Sequence, residues 1–161
     1  MKGRPEGLDP AVEKRPVVLE VDSVTHFFGN LRAVYNFDLT LRQGELAGLI
    51  GPNGAGKTTV FNLITGVYRA SEGSIRYMDM ELVGLPSHEI IQMGIARTFQ
   101  NIRLFSNLTV LLVEHRMRLV MNICEWITVM DFGEIIARGT PAEVRNDPGV
   151  VEAYLGRQAI R

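Results

Sequence analysis

The sequence predicts an α/β domain, a parallel sheet with helices joined to an N-terminal antiparallel β region. Three observations predict it. The apolar run LAGLI (46–50) passes straight into the glycine-rich GPNGAGKTT (51–59) and then a helical stretch, the strand–loop–helix order of a buried parallel strand. Residues 17–41 ahead of it are rich in β-branched and aromatic residues in strand-like runs. After residue 108, apolar runs alternate with helix-period stretches.

With 161 residues, 46% of them hydrophobic, the chain can bury one substantial core. The mean hydropathy of +0.08 suits an α/β domain with buried strands. A formal net charge of −1 and a pI near 6.3 carry no basic field for nucleic acid. The single cysteine, Cys124, excludes an internal disulfide and fits a reducing compartment as a small buried residue. No apolar run approaches the ~18 residues of a membrane span, and the N-terminus has no signal-like apolar region. MKGRPEGLDPAVEKRP carries three prolines and mixed charges, so residues 1–15 are expected to form a disordered tail and 16–161 a single domain.

Taken in order, VVLEVDSVTHFF (17–28) reads as one or two strands, and YNFDLTL (35–41) as a strand closed by the turn RQGE (42–45). LAGLI is the buried parallel strand, and KTTVFNLITG (57–66) is a helix with Gly66 placed just past its end. SIRYMDMELV (74–83) is a strand pair around a turn. In PSHEIIQMG (86–94), Ser87 is expected to cap a short helix and Gly94 to end it; IARTFQ (95–100) follows as a strand. TVLLVEH (109–115) is an apolar strand. In RMRLVMNICEW (116–126), Met117, Val120, Met121 and Cys124 form one helical stripe and Leu119, Ile123 and Trp126 a second, which predicts a well-buried helix. ITVMD (127–131) and EIIARG (134–139) are strands joined at FG. TPAE (140–143) is a capping box, with Thr140 as N-cap, Pro141 at N1 and Glu143 at N3, and Asp147-Pro148 opens a last helix.

The strongest motif is GPNGAGKTT, which matches G-x-x-x-x-G-K-[ST] through Gly51, Gly56, Lys57 and Thr58. Glycines let the backbone curl so that successive N–H groups face an anion, and the following helix aims its positive end at the same point. Lys57 can then reach the β- and γ-phosphates of a nucleoside triphosphate, and Thr58 can ligate Mg²⁺. The fold class is therefore a P-loop nucleoside triphosphatase core, and Gly51, Pro52, Asn53, Gly54, Ala55, Gly56, Lys57, Thr58 and Thr59 are the expected nucleotide-binding residues. Nucleotide binding follows from this loop; hydrolysis does not.

GPNGAGKTT followed by IARTFQNIRLFSNLTV resembles the ATP-binding subunits of ABC transporters. GIARTFQNIRLF and GTPAEVRNDPGVVEAYLG are similar to the branched-chain amino acid uptake branch, and the resemblance runs from about Pro16 to Gly156. It implies that Phe28, the aromatic before Gly29, stacks on adenine. It implies that Gln100 is the Q-loop glutamine, which contacts Mg²⁺ near the membrane subunit. It implies that His115 is the switch histidine, which holds the γ-phosphate and the attacking water. The implied cofactors are ATP and Mg²⁺. The implied partners are transporter membrane subunits and a second ATP-binding subunit, with no nucleic acid. The chain would lie in the cytoplasm at the inner face of the plasma membrane, touching it only through partners.

The resemblance also exposes a gap. In the family, a segment like NLTV leads into a helical subdomain, a signature loop that binds the partner subunit's ATP, an apolar strand ending in Asp-Glu, and a D-loop. Only then does a strand like TVLLVEH arrive. In residues 107–115, NLTVLLVEH, the two pieces meet across Thr109 to Leu111. An in-frame deletion across a shared TVL triplet would produce this junction, and so would a gene-model artefact of the same effect. The lost Asp holds Mg²⁺ through water and the lost Glu is the candidate general base, a loss of ~10²–10⁴ in rate. Removing that strand should also leave its neighbours' pairing groups open.

Two carboxylates superficially replace the missing pair. Asp131 ends ITVMD, but it matches the family's later strand before an aromatic-Gly turn. Glu114 ends LLVE, but it matches the residue before the switch histidine. HEIIQ (88–92) begins like a zinc-protease motif but has Gln92 where the second histidine belongs. The expected function is the ATP-binding subunit of a branched-chain amino acid importer, impaired in hydrolysis. The alternative is a non-catalytic ATP-binding remnant or gene-model fragment. A small-molecule kinase finds no support outside the phosphate loop.

Overall fold

A computed structural model of the chain describes residues 10–95, 108–114 and 117–155. Pro10–Glu13 form a short helix, α1, where sequence composition predicted a disordered tail as far as Arg15. The segment is held by distant partners. Val12, 3% exposed, packs with Trp126; Arg15 donates to the Gly44 carbonyl at 3.3 Å and lies 3.5 Å from the Glu125 carboxylate.

β1 (Val17–Phe28) is one long strand, kinked by several register shifts, and pairs antiparallel with β2 (Leu31–Arg42). β3 (Leu46–Ile50) is buried over four of its five residues, as its unbroken apolar run requires. α2 (Lys57–Ile64) follows the glycine loop, and Gly66, at φ 69°, takes the left-handed position beyond its C-cap, Thr65. β4 (Glu72–Tyr77) and β5 (Met80–Glu81) form a hairpin whose two turn residues, Met78 and Asp79, both have positive φ. In α3 (Ser87–Gln92) the N-cap is Pro86, in extended backbone and with no side-chain cap. Ser87 is the first helical residue instead, because Pro86, at φ −72° and ψ 151°, takes the N-cap position, its carbonyl accepting from the Glu89 and Ile90 amides at 3.0 and 3.3 Å. Apart from Ile95, the strand expected at 95–100 lies outside the described residues.

β6 (Val110–Val113) starts at the junction itself. The Thr109 hydroxyl accepts from the Gly44 amide at 3.0 Å and donates to the Arg42 carbonyl at 3.3 Å, and the Val110 amide donates to the Glu45 carbonyl at 2.9 Å. α4 (Met117–Ile123) buries Val120 and Met121, with Cys124 just beyond. It ends earlier than its apolar pattern suggests, and Trp126 opens β7 (Trp126–Asp131). β8 (Glu134–Gly139) returns antiparallel to β7. α5 (Pro141–Asn146) has the expected capping box: Thr140 N–H donates to Glu143 Oε2 at 2.7 Å, and Glu143 N–H donates back to Thr140 Oγ1 at 3.5 Å. α6 (Pro148–Leu155) closes the described chain, its Val150 amide bonded to the Asp147 carboxylate at 3.1 Å.

Among the described residues two four-stranded sheets result, with orders β2-β1-β4-β5 and β6-β3-β7-β8. In the second, β6, β3 and β7 are parallel. The main core lies between the antiparallel sheet and α2, joining Val24, Phe37 and Ile75 to Leu49, Leu63 and Met130. A second core lies on the opposite side of β3, where α4 approaches closely: a Cβ on Gly48 would stand 2.5 Å from Val120 Cγ1. Among the described residues β6 pairs with β3 alone, so it is the sheet's edge. Val110 and Glu114 donate toward β3, which turns the backbone groups of Leu111 and Val113 outward. This is the open edge anticipated from the missing strand. Among the described residues no helix is long and apolar enough to cross a membrane.

Candidate functional site

The glycine loop lies at the C-terminal end of β3 and carries three left-handed or strained glycines. Gly51, Gly54 and Gly56 have φ of 155°, 82° and 98°. At Gly51 a Cβ would fall 2.2 Å from the Met130 carbonyl oxygen, and at Gly56 2.8 Å from that of Ala33, so both positions require glycine. The Lys57 ammonium curls back over this loop and donates to the Gly51 and Pro52 carbonyls at 2.7 and 2.8 Å. Gly56 is the N-cap of α2 and supplies no side-chain acceptor. The first-turn amides of α2 are thus left without a cap from their own N-cap residue, as an anion site requires. Thr58 is exposed at this same end.

A cleft of about 580 Å³ opens over the loop, within the range of small-molecule sites. Asn53 to Thr59 form one wall, Phe28 and Arg32 another, and Phe132 with Gly133 a third. Phe28 is 43% exposed there, and Arg32 is held by Glu134 at 2.9 Å. The β7–β8 turn locks the pieces together. Gly133 N–H donates to the Ala55 carbonyl at 3.1 Å, and the Gly133 carbonyl accepts from Tyr35 N–H at 2.8 Å. Sequence reasoning identified Phe28 and the loop but missed this turn and Arg32. FG at 132–133 reads as an ordinary turn signal, and nothing local says that it faces residue 55.

Glu114 lines the cleft from the end of β6, the one carboxylate to do so among the described residues. Asp131 lies beyond the loop, beside the buried Tyr154 hydroxyl and the Gly51 backbone; burial chiefly pushes that hydroxyl's pKa up to about 12. Gln100 and His115 lie outside the described residues, so the structure brings together Phe28 and residues 51–59 of the expected site.

The loop, lysine and helix fit a polyphosphate. Three features show this: glycine-only backbone turned inward, a cation at the loop's centre, and helix amides without a side-chain cap. On a parallel strand with its helix behind, this arrangement defines a P-loop nucleoside triphosphatase fold. The family model described as "ABC transporter" matches residues 34–144, and the chain belongs to that family. The model described as "Branched-chain amino acid ATP-binding cassette transporter" matches residues 134–160.

The high-affinity branched-chain amino acid transport ATP-binding protein LivG of Salmonella typhimurium is 29% identical over 249 residues, covering 86% of this chain and 98% of its own. The corresponding BraF protein of Pseudomonas aeruginosa is 29% identical over 252 residues, with 88% and 98% covered. Escherichia coli LivG is 50% identical over 94 residues, 58% of this chain and 37% of its own length. An alignment of 249 residues exceeds the 161 present, so these relatives carry a long stretch with no counterpart here. Among solved structures, a nucleotide-free ATP-binding cassette from an ABC transporter superposes with TM-score 0.78 at 20% identity, covering 86% of this chain and 99% of that one. The ADP conformation of another such cassette gives 0.80 at 19% identity, covering 88% and 99%. These likenesses show the fold.

Proposed function

We propose that this chain is an ATP-binding subunit of an importer for branched-chain amino acids, binding Mg-ATP at the phosphate loop and impaired in hydrolysis. The single observation that carries the binding reading is the Lys57 ammonium held at the centre of the glycine loop, at the start of α2. The names of the relatives and the match at 134–160 support the substrate class.

In this reading Lys57 turns from the Gly51 and Pro52 carbonyls to the terminal phosphates. Amides of residues 54–59 hold the remaining phosphate oxygens, and Phe28 offers a face to the base. The Thr58 hydroxyl and Gln100 would hold Mg²⁺, and His115 would hold the γ-phosphate. Bound Mg²⁺ supplies charge neutralisation at the phosphates. A second ATP-binding subunit closes over the cleft, and membrane subunits hold the pair at the inner face of the plasma membrane. Hydrolysis is impaired because the family's Asp-Glu strand falls in the stretch that has no counterpart here, and among the described residues β6 is left at the sheet edge. Losing a positioned base alone costs ~10²–10⁴ in rate.

The test is Mg-ATP binding and turnover by the full chain beside Lys57→Ala. Saturable binding that requires Lys57, with turnover at least ~100-fold below an intact relative, is expected. Lys57-dependent turnover at an intact relative's rate would overturn the impaired reading, and equal binding by Lys57→Ala would overturn the site.

A further inference from the structure

Phe28 does not present its ring alone. His26, on the same strand, meets it edge-to-face with centroids 4.7 Å apart and planes at 88°. Tyr68 stacks on His26 at 5.6 Å and 8°, and meets Phe28 edge-on at 5.2 Å and 83°. The three rings form a closed cluster in which each touches the other two. His26 is only 8% exposed, and neither ring nitrogen has a hydrogen-bond partner among the described residues. An imidazole buried in that way costs folding more than an apolar side chain of similar size. Packing alone is therefore a weak reason for it. Tyr68 in turn is tied to the last turn of α2, its amide donating to the Asn62 carbonyl at 3.1 Å. The cluster thus connects the exposed face of Phe28 to the helix whose other end carries Lys57.

We propose that His26 and Tyr68 are positioning residues for the nucleoside half of the site. They hold the Phe28 ring at a fixed tilt and distance from the phosphate loop, so that a purine can stack while its phosphates reach Lys57. The inference rests on the reading of Phe28 as the base platform. Ring stacking tolerates little misplacement, and an edge-to-face neighbour fixes tilt through the quadrupoles of both rings. A side chain that only fills space would not.

The experiment separates base from phosphate by titrating the full chain, with Mg²⁺, against ATP and against inorganic triphosphate. The variants are Phe28→Ala, His26→Leu, His26→Phe and Tyr68→Ala, each checked for a cooperative melt. Phe28→Ala should weaken ATP about 10-fold and leave triphosphate affinity unchanged. His26→Leu and Tyr68→Ala should reproduce that pattern at about 3–10-fold, and His26→Phe, which restores a ring edge, should bind ATP like the parent. Folded His26→Leu with parental ATP affinity would overturn the inference while leaving the platform intact. Equal weakening of ATP and triphosphate would overturn it in favour of a purely structural role. No change in Phe28→Ala would remove the platform itself, and the inference with it.

Discussion

The Lys57 ammonium lies 2.7 Å from the carbonyl oxygen of Gly51, at the opposite end of the same loop. A lysine so placed holds the loop's curvature, and in the proposed reading it turns from these carbonyls to the terminal phosphates. Charge-assisted bonds of this kind are roughly twice as strong as neutral ones. Lys57→Ala should reduce Mg-ATP affinity at least ~10-fold while the melting midpoint moves by only a few degrees, since the lysine is half-exposed. Calorimetric titration and a thermal melt on one sample check both halves.

Gly133 bridges the phosphate loop and the antiparallel sheet. Its φ is 82°, and a Cβ there would stand 2.6 Å from the Ala33 carbonyl oxygen. Gly133→Ala should therefore cost about 1–3 kcal/mol through backbone strain and a contact that cannot relax easily. It should also weaken nucleotide binding, because the Gly133–Ala55 bond would be displaced. A urea midpoint unchanged from the parent would contradict the contact.

Alkaline conditions should unfold the chain through two buried groups. Burial, with a contribution from the Glu125 charge, pushes the Cys124 thiol from 9.0 up to about 12. Burial pushes the Tyr154 hydroxyl from 10.0 up to about 12. In the unfolded chain these protons leave near pH 9 and 10, while the folded chain keeps them to about 12. Between those values the unfolded state binds fewer protons, so stability falls as pH rises. Urea midpoints should decline from pH 9 to pH 12, and the slope should flatten in the Cys124→Ala, Tyr154→Phe double variant.

The β6 edge should limit solubility. VLLV is a parallel-sheet sequence without polar alternation, and its outward backbone groups at Leu111 and Val113 have no strand beside them among the described residues. Such an edge is a template for further pairing. Light scattering should show concentration-dependent self-association, and the melt should fall below that of an intact relative. A monodisperse monomer melting as high as the intact relative would refute this.

Much of the molecule was legible from sequence because it depends on near neighbours. The phosphate loop is nine consecutive residues whose glycines and lysine carry their chemistry locally, and the Thr140–Glu143 box spans four. Strand β3 announced itself by an apolar run, and β6 by TVLLV. Boundaries were less legible where distant contacts decide them. α1 exists because Val12 finds Trp126, and α4 stops at Ile123 because Trp126 belongs to β7, whose ladder with β3 outweighs one more helical turn.

The sequence by itself determined the class of protein, the glycine loop at 51–59 and the absence of a segment between two familiar motifs. Each is a matter of residue order along a short stretch. Only the tertiary structure decided that His26 and Tyr68 frame Phe28 and that Gly133 meets both Ala55 and Tyr35. The contacts of Tyr68 and Gly133 join residues tens of positions apart. They follow from how two sheets close over one core, which no local pattern encodes.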